Sequence, residues 1–165
     1  ILTFQSCSKT YAMTGWRIGY TAGNKQVIKA MGKLQGQSTS CPNSIAQSAA
    51  IEALTGDQNQ IQNMKKTFKK RRDYIISRLN NIKNVSCVIP GGAFYVFPDF
   101  SEYINNSNII SSANDFAMYL LKNKALVTVS GDAFGSPGHI RFSYAASDED
   151  LQNGMDLLEE TLNEI

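Results

Sequence analysis

From Asp57 to Asn80 the chain carries a helical repeat that divides everything else into a before and an after. Ile61, Met64, Phe68, Ile75 and Leu79 recur at intervals of three, four and seven, which puts them on one face of an α-helix. Lys65, Lys66, Lys69, Lys70, Arg71 and Arg72 fall on the other face, and Asp57 can cap the start. A helix this long can pack on two bodies and act as the hinge element between them. The domain boundary is therefore expected within residues 57–80, with residues 1–56 before it and 81–165 after it.

Before the helix, Ile1 to Ser6 reads as an apolar strand, Ser8 to Gly15 as a loop and Trp16 to Ala22 as a second strand. Gly23-Asn24 is a turn signal, Lys25 to about Gln35 a helix, and Gly36 to Pro42 a polar loop. Asn43 or Ser44 can cap a helix running through Ala46, Ala49, Ala50 and Leu54 to Gly56. Two strands make too small a sheet to stand alone. A chain that opens on Ile1 inside a strand also needs something for that strand to pair with. The pattern is that expected of the C-terminal part of a longer chain.

After the helix the elements shorten. Val85 to Ile89 and Ala93 to Phe97 read as strands joined through Pro90-Gly91-Gly92, and Phe100 to Ser112 as a loop or short helix. Ser112 can cap a helix over Phe116, Leu120 and Leu121. Leu126 to Val129 and His139 to Tyr144 read as strands flanking the Gly/Pro-rich loop Gly131 to Gly138. Ser147 caps a last helix with Leu151, Met155, Leu158 and Leu162 on one face. Together these form a small α+β unit.

Sixteen basic against fourteen acidic side chains, a net charge of +2, make no electrostatic case for nucleic acid or an anionic membrane. No apolar run reaches the roughly 20 residues of a membrane helix. Cys7, Cys41 and Cys87 are odd in number and widely spaced, so they suggest neither a disulfide framework nor a metal knuckle, and a reducing, cytoplasmic setting is expected. Cys41 and Cys87 read as small buried hydrophobes, and Cys7 as a thiol whose pKa its neighbours could lower. His139 is the one histidine and has no partner at ligand spacing, which leaves no zinc site.

The chemistry concentrates in the first loop. Ser6, Ser8 and Lys9 stand at a strand end, and Arg17 follows eight residues after Lys9. Eight extended residues would span about 26 Å, but Gly15 lets the chain fold back. Two hydroxyls and a guanidinium can cradle a phosphate, and a nearby lysine can hold an aldehyde as a Schiff base. Those needs coincide in pyridoxal 5′-phosphate; solvated charges on a loop are the plainer alternative. Ser6-x-x-Lys9 also matches the serine–lysine pattern of penicillin-binding enzymes. Ser147-Asp148-Glu149 and Lys9-Thr10-Tyr11 fail to supply its other two elements. The basic face at 65–72 suggests a non-catalytic binding module, yet the apolar face opposite and the low net charge favour a solvated helix surface.

The run Ser6-Cys7-Ser8-Lys9-Thr10-Tyr11-Ala12-Met13-Thr14-Gly15-Trp16-Arg17-Ile18-Gly19-Tyr20 resembles the lysine signature of class I aminotransferases. The likeness continues in Pro90 to Pro98 and in His139 to Ala145, and Gln37 to Ser40 with Ala46-Gln47 fits the aspartate branch. The resemblance covers nearly the whole chain. It implies the α/β fold of fold-type I enzymes: a C-terminal piece of the large domain (1–56), a long interdomain helix (57–80) and a small α+β domain (81–165). It implies pyridoxal 5′-phosphate as cofactor, with Lys9 as the Schiff-base lysine that also shuttles the α-proton. Ser6, Ser8 and Arg17 would hold the cofactor phosphate, and Arg141 the substrate carboxylate. Ser38 and Thr39 would reach a neighbouring subunit. The reaction implied moves an amino group from an amino acid, aspartate foremost, to a 2-oxo acid in a cytoplasmic homodimer, with aromatic- or alanine-preferring class I enzymes as the alternative. The residues that the family sets against the pyridine ring have no counterpart here, so the chain alone is expected to be inactive. Departures are few. Family members often have a small residue at Ser6 or Cys7 and a proline at Ser130, which leaves substrate preference and loop stiffness open.

Overall fold

A computed structural model describes all of residues 1–165. The chain forms two compact units, Ile1–Met64 and Lys65–Ile165, and the division falls inside the long helix.

In the first unit, β1 (Leu2–Ser6) and β2 (Gly19–Gly23) pair antiparallel, with Leu2 opposite Gly23 and Ser6 opposite Gly19. The second strand thus begins three residues later than the sequence pattern suggests. Trp16 instead closes a 3-10 turn, Thr14–Trp16, and Arg17 takes a left-handed backbone at φ 51°. The pairing can begin at Gly19 because no side chain intrudes: a Cβ there would stand 2.5 Å from the Gln5 carbonyl oxygen. Between the strands lies a single helical turn, α1 (Cys7–Thr10). Then come α2 (Lys25–Ser38) and α3 (Ser44–Thr55). Asn24 and Asn43 cap these helices, their Oδ1 atoms each accepting from the N–H two residues on at 2.9 Å. The first of the two continues through Gly36, where a loop was expected; one helical glycine costs only about 1 kcal/mol against alanine. The unit's core is small. Cys7, Met13, Ile18, Ala46 and Ala50 are buried together, and Tyr11 packs against them.

The long helix α4 (Asn59–Asn81) starts where Asp57 Oδ1 accepts the Asn59 N–H at 3.0 Å. In the second unit its residues Ile75, Ile76 and Leu79 are buried. The sheet has order β3-β5-β4, all antiparallel, formed by β3 (Tyr95–Val96), β4 (Val129–Ser130) and β5 (Ile140–Ser143). Helices α5 (Ser101–Asn106), α6 (Ala113–Lys124) and α7 (Asp148–Glu164) complete it. Ser112 and Ser147 cap the last two, each Oγ accepting the N–H three residues on. Phe100, Phe116, Leu120, Ile140 and Leu158 are fully enclosed between sheet and helices. The strand expected over Val85–Ile89 does not form. Only Ser86 finds a bridge, to Asp99, and Val88 and Ile89 are 87% and 61% exposed. The outer edge of β3 carries no other strand, and with Val88 and Ile89 exposed the segment buries too little apolar surface to hold it there.

Candidate active site

Ser6 is the last residue of β1 and the cap of α1. Its Oγ accepts the Ser8 N–H at 3.1 Å and donates to the Ser8 Oγ at 2.9 Å, so the two hydroxyls stand side by side. Between them Cys7 turns the other way and is 1% exposed in the small core. Helical positions turn by about 100° each, so the residue two on from Cys7 falls on the far side of the turn. This puts Lys9 on the exposed side and withdraws the thiol that the sequence reading left open to reaction. Cys41, expected to be buried, is exposed. The strand-to-strand connection folds back through Cys7 N–H donating to the Ile18 carbonyl at 3.2 Å. Arg17 therefore returns to the strand end where Ser6 begins the turn. Its Nη1 donates to the Thr14 carbonyl at 2.9 Å, which anchors one end of the guanidinium.

The charge pattern of this segment carries a further signal. Lys9, Arg17, Lys25, Lys29 and Lys33 all precede the first acidic residue, Glu52. Nothing anionic in the segment competes for the donors of the loop.

Arg141 lies in the second unit, on β5, half-buried. Its guanidinium carbon is 4.4 Å from the ring centroid of Tyr95 and 4.8 Å from that of Phe134. Neither ring was singled out from sequence. The strand alternation that places Tyr95 opposite in sense to Val96 is the signal that would have found the first. Phe142 and Tyr144 are buried strand core, 6% and 2% exposed, and the Tyr144 hydroxyl donates to the Ala93 carbonyl at 3.0 Å. Burial pushes the Tyr144 phenol above its ordinary range, partly offset by Arg72.

The basic face of α4 is not an open stripe. Lys70 and Arg71 both pair with Asp148 at the start of α7, at 2.7 and 2.8 Å. Arg72 pairs with Asp73 at 2.7 Å and donates to the Pro90 carbonyl at 3.2 Å. No group of three or more His, Cys, Asp or Glu side chains converges at metal-binding range. No helix is long and apolar enough to cross a membrane.

The family model for aminotransferase class I and II matches residues 1–158. This chain belongs to that family. The aspartate/prephenate aminotransferase of Cereibacter sphaeroides is 47% identical over 155 residues, covering 92% of this chain and 39% of the relative. Two solved aminotransferases carry the same fold. The aspartate aminotransferase of Rhizobium meliloti aligns with TM-score 0.85 at 37% identity, over 98% of this chain and 42% of that one. The aromatic aminotransferase of Pyrococcus horikoshii aligns with TM-score 0.89 at 34% identity, over 99% and 43%. The chain spans about two fifths of the length of the curated relatives it matches. Its first unit carries Ser6, Ser8, Lys9 and Arg17 at the end of β1 and along the connection to β2, and its second holds Arg141.

Proposed function

We propose that this chain carries the phosphate- and amine-bearing side of a pyridoxal 5′-phosphate site in an aminotransferase that uses aspartate as amino donor. The observation that carries the reading is the Ser6–Ser8 hydroxyl pair, bonded at 2.9 Å, with Lys9 next in the chain and Arg17 folded back beside the same strand end. This donor set fits the cofactor. Two hydroxyls and a guanidinium suit a phosphate dianion, and the loop has no carboxylate to repel it.

Ser6, Ser8 and Arg17 would hold the phosphate. Arg17 keeps donors for it beyond the one given to Thr14. When bound, pyridoxal phosphate supplies an aldehyde that accepts amino groups and a conjugated ring that draws electrons from the substrate α-carbon. Lys9 Nζ would be the amine at that aldehyde and the base that removes and returns the α-proton. Arg141 would take the substrate carboxylate in a two-pronged contact that also fixes its orientation. Residues 1–56 are read as a C-terminal piece of the large domain, 57–80 as the interdomain helix and 81–165 as the small domain. The names of the relatives support aspartate as substrate. The three unpaired cysteines suit a reducing cytoplasm. The family resemblance supports a homodimer for the whole protein.

The test is borohydride reduction of the purified chain with pyridoxal phosphate, followed by peptide mapping. Selective label on Lys9 is expected. Label spread evenly over Lys9, Lys25, Lys29 and Lys33 would overturn the reading.

A further inference from the structure

The outer face of the three-stranded sheet holds one guanidinium between two rings. On β5, Ile140 and Phe142 are 0% and 6% exposed and point into the core. Arg141 and Ser143 therefore point to the opposite face. Tyr95 stands directly across from Ser143, which places its ring on that same face, one diagonal step from Arg141. Phe134 reaches the guanidinium from the 3-10 turn that follows β4. The ring of Phe134 is itself braced. It meets Phe97 edge-to-face, with centroids 5.9 Å apart and planes at 90°. Phe97 in turn packs on His139 at 5.0 Å.

The other arginines of this unit are tied to oxygen. Arg71 pairs with Asp148, Arg72 with Asp73, and Arg78 with Asp156 and Glu159. Arg141 alone has neither a carboxylate nor a carbonyl partner, although it is half-buried. Aromatic faces attract a cation through their quadrupole without using its N–H groups. An arginine held in this way is fixed in place while its donors stay available for a two-pronged contact with a carboxylate.

We propose that Tyr95 and Phe134 are positioning residues, whose rings hold the Arg141 guanidinium and leave its N–H groups free to receive the substrate carboxylate. The proposal rests on the reading of Arg141 as the carboxylate anchor. The rings act through Arg141 and not on the reacting atoms. Either ring can be removed without opening the core, because Phe134 is 51% exposed and Tyr95 lies on the outer face.

The experiment uses the 165-residue chain with nitrogen-15-labelled arginine. One readout is the rotation rate of the Arg141 guanidinium by NMR. The other is the dissociation constant of succinate, used as a plain carboxylate probe. Tyr95→Leu and Phe134→Leu keep apolar bulk but remove the ring. Each is expected to speed the rotation and to weaken succinate about three- to tenfold. Tyr95→Phe and Phe134→Tyr keep the ring and should keep both properties, which a role in bulk packing would not predict. Arg141→Lys separates the two readings. If it abolishes succinate binding while the leucine variants bind and rotate as the parent does, the clamp is overturned and the anchor stands. If it leaves succinate binding unchanged, or if the parent binds none, the anchor reading falls and the carboxylate part of the proposal with it.

Discussion

Arg78 on α4 donates from Nε to the Glu159 carboxylate of α7 across 2.8 Å. Its Nη2 reaches Asp156 and its Nη1 the Tyr74 hydroxyl, both at 2.7 Å. One guanidinium therefore ties the second unit's share of the long helix to its last helix. Glu159, with Asp156 and Tyr74, raises the already high pKa of Arg78, against the opposing effect of burial. The carboxylates are 58% and 39% exposed, so water screens much of the attraction. Arg78→Met keeps the aliphatic stem and should destabilise the second unit by about 1–2 kcal/mol. Urea unfolding at neutral pH, followed by far-ultraviolet dichroism, measures it. An unchanged midpoint would show that solvent replaces the network at no cost.

Acid should unfold the second unit through a few carboxylates. Burial pushes the Asp99 carboxyl up, but the Ser101 hydroxyl and N–H, at 2.5 and 2.9 Å, together with nearby His139 bring it below the ordinary range. Lys70 and Arg71 lower Asp148, and the Ser111 and Ser112 hydroxyls lower Asp115. A carboxyl lowered on folding contributes stability that is fully present above its unfolded value, about 3.9 for aspartate. That stability is lost as pH falls through the folded value. Denaturation midpoints should stay level from neutral pH down to about 5 and fall below about 4. Asp148→Asn should lower the neutral midpoint and flatten the acid fall. The same acid slope in that variant would exclude Asp148 from the effect.

The three thiols should react in a fixed order. Cys41 is exposed, Cys87 half-buried and Cys7 buried. Burial pushes the Cys87 thiol up, partly offset by a backbone hydrogen bond from Phe97, which keeps it protonated at neutral pH. Iodoacetamide in limited amount should label Cys41 first, then Cys87, and Cys7 only on unfolding, as read by mass spectrometry. Early label on Cys7 would mean that α1 opens readily and exposes the site loop.

Arg17 should decide whether the loop recognises a phosphate. In competition between pyridoxal phosphate and pyridoxal for borohydride labelling of Lys9, Arg17→Ala should reduce the preference for the phosphorylated form about tenfold. Arg17→Lys restores charge but not the fork, and should recover only part of it. Equal preference in parent and Arg17→Ala would remove Arg17 from the phosphate site.

What could be read directly from the sequence was short in range. The face of α4, the caps at Asn43, Ser112 and Ser147, and the loop that collects Ser6, Ser8 and Lys9 depend on residues within a turn or two. Side-chain oxygens find the first free N–H groups of a helix wherever they are placed, and a period of 3.6 needs no distant partner to be visible.

The tertiary structure decided what depended on partners. Val85 to Ile89 has strand composition, but it makes only the Ser86–Asp99 bridge, and its exposed Val88 and Ile89 bury too little to extend that into a ladder. Cys7 and Cys41 are the same residue type in polar surroundings, yet one is sealed beneath Ile18, Met13 and Ala46 and the other faces solvent. Arg141 could be identified as a charge on a strand. That it would be the arginine left without an oxygen partner, held instead by Tyr95 and Phe134, follows from how β3 and the turn after β4 are brought alongside β5. The sequence determined which groups exist and which local turns they favour. Only the packed sheet determined which of those groups were used up internally and which were left for a ligand, because that depends on backbone pairing between residues far apart in the chain.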